Sequence, residues 1–150
     1  MRQTVLESTA VAGLIERVAF LTPDTRPAWG SMNATEMLHH CNLANQRILA
    51  WDKPVLPASL KQRALKFFML RVWPRFPKNV KTAIQFETKG TIDVAAFEKE
   101  KLLFGSGLQQ FSKPGKTFTA PHPYFGPLST REWGQVVWMH MDHHLRQFGL

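Results

Sequence analysis

The sequence predicts a single all-α domain, with four or five helices packed around one hydrophobic core. Three observations carry this prediction. Apolar residues recur at helical spacing, two segments open on a complete helix-starting signature, and proline-rich stretches separate the periodic segments. At 150 residues, 44% hydrophobic and 20% charged, the chain suits one globular core and not a disordered region.

Val11, Leu14, Ile15 and Val18 follow helical spacing, which predicts a first amphipathic helix over residues 4–20. Thr22-Pro23-Asp24 and Arg26-Pro27 then mark a loop. Asn33 followed by Glu36 three residues later fits a capping box, so a second helix starts there and runs to about Trp51, stopped by Asp52-Lys53-Pro54. A third helix is expected over 58–71, ending before Trp73-Pro74 because the residue preceding a proline is pushed out of the helical region. Residues 74–92, with Pro74, Pro77 and Gly90, read as loop with a short extended piece at Ile84-Gln85-Phe86. Asp93 is placed to cap a fourth helix through Phe111, with Phe97, Phe104, Leu108 and Phe111 inward. Gly105 and Gly107 each weaken that helix by about 1 kcal/mol relative to alanine. Residues 112–128 form another Pro/Gly loop, and Ser129-Thr130-Arg131-Glu132 is a capping box opening a last helix through about Phe148.

No apolar run approaches the roughly 18 residues that span a bilayer, and Met1-Arg2-Gln3-Thr4 does not lead into a signal peptide. The single Cys41 excludes an internal disulfide framework and a Cys-rich zinc module. A cytoplasmic protein with no membrane span is expected. The formal net charge is +8, and the excess is local: no acid lies between Asp52 and Glu87, while Lys53, Lys61, Arg63, Lys66, Arg71, Arg75, Lys78 and Lys81 do. Lys61, Arg63, Lys66 and Arg71 are the candidate anion-binding residues of that stretch. They support an alternative function, a non-enzymatic module binding nucleic acid or an anionic surface through residues 53–81. The plainer reading is a solvated helix face. No nucleic-acid motif accompanies the charge, which disfavours a nucleic-acid partner.

The six histidines are more informative. At about 100° per residue, His140 and His144 lie about 40° apart on the face of the last helix that carries Trp133, Val136 and Val137. Two imidazoles at i and i+4 can reach one metal ion. His143 is turned about 100° from His144 and flanks the site, and Asp142 points away. On the second helix His40 sits at the centre of the apolar stripe and His39 at its edge. Glu36, one turn before His40, is placed to hydrogen-bond its free nitrogen or to join as a ligand, and Gln147 is placed to hold a bound water or substrate. Three inward imidazoles each need a partner, and one metal satisfies all three while leaving an open coordination position. Nitrogen ligation suits zinc, nickel, iron or copper. Cys41 reads as a small buried residue, and Trp29 and Trp133 as core or as an aromatic wall of the pocket. Trp138 and Leu145 form a second apolar side of the last helix that suggests a partner helix or a dimer contact.

The segments Trp29-Gly30-Ser31-Met32, Glu36-Met37-Leu38-His39-His40-Cys41, His122-Pro123-Tyr124-Phe125-Gly126-Pro127-Leu128, Glu132-Trp133-Gly134 and His140-Met141-Asp142-His143-His144-Leu145-Arg146-Gln147-Phe148 resemble an uncharacterised bacterial branch of the DinB-like superfamily, named for DNA-damage-inducible proteins. The resemblance implies an up-down-type four-helix bundle with one additional short helix or long loop. It implies a divalent metal held by His40, His140 and His144, with His143 and Gln147 matching the His-His-x-x-Gln tail common in the superfamily. It also implies a homodimer and, from characterised relatives, a thiol-dependent transferase or a hydrolase. The expected protein is therefore a metal-dependent enzyme acting on a small-molecule substrate, using zinc, nickel or iron and in one version a low-molecular-weight thiol. Glu36 and His122 are the candidate catalytic proton carriers, and the plainer reading of His122 is an anchor for its Pro-flanked loop.

Overall fold

A computed structural model describes residues 2–80 and 84–150; Met1 of the stretch read for a signal peptide, and Lys81 of the basic segment, lie outside the described residues. The helices are α1 (Ser8–Ala19), α2 (Ala34–Leu49), α3 (Leu60–Phe67), α4 (Phe97–Phe111) and α5 (Thr130–Gln147). Short pieces join them: a π turn Phe68–Val72 prolonging α3, two 3-10 turns at Ile84–Phe86 and Val94–Ala96, and the strands β1 (Pro121–His122) and β2 (Gly126–Pro127). The strands pair antiparallel, with His122 opposite Gly126.

Helix starts follow their caps. Asn33 Oδ1 accepts from the Glu36 amide at 2.9 Å while Glu36 Oε2 accepts from the Asn33 amide at 2.7 Å, closing the box that opens α2. Ser129 and Glu132 do the same for α5, and Ser59 with Gln62 does so for α3, a box the sequence reading passed over. The first helix starts at Ser8, four residues later than expected, because residues 4–6 are docked on α5 instead. The Val5 amide donates to the Gly134 carbonyl at 3.1 Å, and Val5 is fully buried. Gly134 permits this approach: a Cβ there would meet Thr4 Oγ1 and lie 2.6 Å from Leu6 Cγ. The piece expected to be extended at Ile84–Phe86 is a 3-10 turn, closed by the Glu87 amide on the Ile84 carbonyl at 3.2 Å. Asp93 caps the turn that leads into α4 rather than α4 itself.

Helix α2 packs against α4 and α5, and α1 packs against the same two. Leu14, Met37, Leu38, Phe104, Leu108, Phe111, Met141 and Leu145 fill the space between them. Of the two contacts expected for Leu145, the partner helix is the one the fold supplies, and this fully buried side chain is not part of a free dimer face. Packing of α1 on α5 closes that side, reinforced by Arg17 on Asp142 at 2.9 Å, and Trp138 is half-buried against the core. Between α2 and α4, Asn42 Nδ2 donates to Glu100 Oε2 at 2.7 Å and His39 Nδ1 lies 3.3 Å from the same oxygen, which holds His39 apart from His40. Among the described residues, no helix is long and apolar enough to cross a membrane.

Candidate metal centre

His40 enters the site from the middle of α2, and His140 and His144 from the last turns of α5. His140 Nε2 lies 3.0 Å from His40 Nε2 and 3.0 Å from His144 Nε2, and one ligand atom from each ring falls within 4.8 Å of the others. His40 and His144 are buried, and His140 is half-buried.

The outer nitrogens of His40 and His144 are fixed. His40 Nδ1 faces the Phe86 carbonyl at 2.8 Å, and since a carbonyl only accepts, that nitrogen carries the proton and donates. Gln147 Nε2 donates to the Trp29 carbonyl at 2.7 Å, which turns Oε1 toward His144 Nδ1 at 2.8 Å and makes Nδ1 the protonated nitrogen there too. In the neutral rings of His40 and His144 the inner Nε2 atoms are then bare lone pairs aimed at His140. One proton on His140 Nε2 can be donated well to only one of them, leaving another buried nitrogen without a donor. Burial pushes all three imidazoles toward the neutral form: His144 down to about 3, with nearby His40 adding to the effect, His140 well below the ordinary range, and His40 lower as well. A single cation accepts the three lone pairs at once. Nitrogens bonded at ~2.0–2.1 Å to one ion lie about 3–3.4 Å apart between right-angle and tetrahedral geometry, close to the 3.0 Å that separates His140 Nε2 from each of the other two, so the donor set suits a divalent metal.

The three rings border a cavity of about 460 Å³. Trp29, Phe76, Phe86, Trp133, Val136 and Val137 give it a mostly apolar and aromatic wall, and Arg47, Glu87, His122 and His143 also line it. Phe76 sits edge-on to His140 and His143 at 6.1 and 6.2 Å. Trp29 meets His143 edge-on at 5.8 Å, with Lys78 Nζ 4.2 Å over the Trp29 ring. His143 thus flanks the trio without joining it.

Glu36 is not the partner of His40. Its Oε2 is held by the α2 cap, its Oε1 accepts from the Gly90 amide at 2.6 Å, and its own carbonyl accepts from Thr88 Oγ1 at 2.8 Å. The carboxylate ties the start of α2 to Gly90 and the Glu36 backbone carbonyl ties it to Thr88, next to the turn whose Phe86 carbonyl orients His40. Gln147 likewise does not face the cavity with a free amide, because both ends are used in orienting His144. Gly30, at φ +81°, makes this possible, since a Cβ there would lie 2.5 Å from Gln147 Nε2. Cys41 is fully buried, burial pushes its thiol up, and its Sγ packs on Met37. Lys66 is paired with Glu132 at 3.2 Å, whereas Lys61, Arg63 and Arg71 are exposed and do not line the cavity. The sequence reading missed the Phe86 and Trp29 carbonyls. A backbone acceptor has no residue-type signature, so nothing in the sequence marks it.

His122 lines the cavity from β1. Its ring stacks on Phe125 at 4.1 Å, and its Nδ1 accepts from the Tyr124 and Phe125 amides at 3.2 and 3.3 Å. Burial pushes this imidazole down to about 4, and two amide donors aimed at Nδ1 oppose a proton there. The folded state therefore resists protonation that the unfolded chain accepts near 6.5. The stability this supplies is complete above pH 6.5 and is lost as pH falls toward 4. At pH 5 the loss is about 2 kcal/mol. His122→Asn keeps an acceptor for the same amides without a titrating ring. Urea unfolding at pH 7 and pH 5 should show the variant losing about 2 kcal/mol less than the parent chain. Equal losses would show that His122 titrates normally.

No curated protein and no solved structure matches the chain. Residues 2–149, nearly the whole length, match the family described as Protein of unknown function (DUF1569), and the chain belongs to that family.

Proposed function

We propose that this protein is a divalent-metal-dependent enzyme acting on a small organic molecule, built as a four-helix bundle of the DinB-like kind with α3 as the additional helix. The convergence of the three Nε2 atoms carries this reading. The ring of contacts α1–α4–α2–α5 supports the bundle. His40, His140 and His144 would hold zinc, nickel or iron. A bound ion of this type with three nitrogen ligands keeps an open position, at which it lowers the pKa of a water or thiol, or polarises a carbonyl.

The chain's own residues have separable tasks. The Phe86 carbonyl and Gln147 keep the outer nitrogens of His40 and His144 protonated, so the inner ones stay available. The aromatic wall excludes water and binds the apolar part of a substrate. His122, neutral with its proton on Nε2, is the proton carrier of this reading, and Glu36 acts by positioning the segment that orients His40. Thiol-dependent transfer and hydrolysis are the two reactions this site serves. A homodimer would use a surface other than Leu145.

The enzyme reading is tested by assaying metal-loaded and chelator-treated protein for transfer of a low-molecular-weight thiol to an electrophile and for ester or amide hydrolysis. Turnover that disappears on chelation and returns with metal is expected; turnover indifferent to metal sinks the proposal. The tautomer argument has its own readout. Gln147→Ala removes the Nδ1–H acceptor of His144, and metal affinity, measured by competition with a chromophoric chelator, should fall about 10–100-fold. Unchanged affinity would mean that His144 is oriented by packing alone.

A further inference from the structure

We propose that α3 and the segment following it form a docking surface for an anionic lipid membrane, a property independent of the histidine site. Helix α3 has its polarity reversed. It buries no residue; its least exposed side chains are Gln62, next to Gly126, and Lys66, paired with Glu132 and 3.4 Å from the Pro127 carbonyl, followed by Leu65 at 38% exposed. Leu60 is 82% exposed and Phe67 65% exposed. Leu60, Ala64 and Phe67 follow i, i+4, i+7 and so form one ridge along the outer side, with Arg63 on one flank and Lys61 and Phe68 on the other. An amphipathic helix normally does the opposite, burying its apolar stripe in the protein. The segments on either side of α3 also expose large apolar side chains, Trp73 at 59% after it and Leu56 at 84% before it.

Charge selects the occupant. Lys61, Arg63, Arg71 and Arg75 are all exposed here, and no acid interrupts the chain between Asp52 and Glu87. The acid on a neighbouring helix, Glu132, is spent on Lys66. A second copy of this chain would set like charge against like charge across a two-fold interface. Nucleic acid would match the cations but leave Leu60 and Phe67 without an apolar partner. A phosphatidylglycerol-type surface matches both, with Leu, Phe and Trp entering the headgroup–acyl boundary and the flanking Lys and Arg reaching the phosphates. The helix would lie in the interface, not cross it.

The test is co-sedimentation of the full chain with phosphatidylglycerol-containing vesicles and with pure phosphatidylcholine vesicles. Binding to the first alone is expected, weakening steeply with salt. Leu60→Ser with Phe67→Ser, which leaves every charge in place, should abolish it. Lys61→Gln with Arg63→Gln, which leaves the apolar ridge, should weaken it ~5-fold per cation. Unchanged circular dichroism and metal content verify that both variants are folded. Vesicle binding that survives the serine pair is general attraction to a +8 protein and overturns the proposal. So do equal binding to neutral vesicles, no vesicle binding at low salt, dimerisation in sedimentation analysis that the serine pair abolishes, and displacement of the protein from vesicles by duplex DNA.

Discussion

His140→Ala is expected to abolish tight binding of a divalent ion. His140 Nε2 stands 3.0 Å from each of the other two inner nitrogens, so its loss leaves a pair with no third donor between them. The parent chain, with free ion at 100 times its dissociation constant, should gain about 2.7 kcal/mol of stability from mass action alone. For a domain of this size that raises the melting temperature by about 5–10 °C. The variant should show no such shift, and elemental analysis should find it metal-free where the parent is loaded. His143→Ala is the matched control, because that ring flanks the cavity without belonging to the trio, and it should keep both the metal and the shift. Equal metal content in the His140 variant and the parent would remove the centre and the enzyme reading with it.

Glu36→Ala is expected to lower stability by about 2–3 kcal/mol, measured by urea unfolding. Both carboxylate oxygens accept backbone N–H groups, one opening α2 at Asn33 and one at Gly90, and alanine leaves both donors without a protein partner. The same change releases Gly90, while Thr88 Oγ1 keeps its bond to the residue-36 backbone carbonyl, and so removes one of the two ties on the segment that follows the Phe86 carbonyl orienting His40. Metal affinity should therefore drop together with stability, by about tenfold. Glu36→Gln separates this role from proton transfer. An amide keeps one acceptor but presents an NH₂ to the second donor, so a positioning residue loses stability and metal affinity in both variants. A proton carrier would lose turnover in the glutamine variant with stability and metal affinity intact, and that pattern would return Glu36 to the chemistry.

The same residue shows where reading the sequence stopped. Asn33 and Glu36 mark a helix start by type and spacing, and that local signal was legible. Glu36 also lies one turn from His40 on the same side, which made it a plausible partner of the imidazole. Its carboxylate has only a few acceptor positions, however, and amides at the cap and at Gly90 occupy them. Which of two competing uses a polar group adopts depends on a loop 54 residues away. Leu145 is a similar case. Helical periodicity identifies it as apolar and turned from His140, and only the approach of α1 decides between the two contacts expected there, a partner helix and not a dimer.

Local rules therefore carried the helices, their caps, the inward direction of His40, His140 and His144, and the basic stretch between Asp52 and Glu87. All of these depend on residue type and on the fixed angular step of the helix, and both are written into the chain. Tertiary structure alone decided that the three Nε2 atoms meet, that the Phe86 and Trp29 carbonyls govern the protonation of His40 and His144, and that α3 turns Leu60 and Phe67 toward solvent. Those outcomes come from packing and from backbone acceptors, which every residue carries alike. A sequence can therefore state what each side chain is able to do, and the fold determines which partner reaches it.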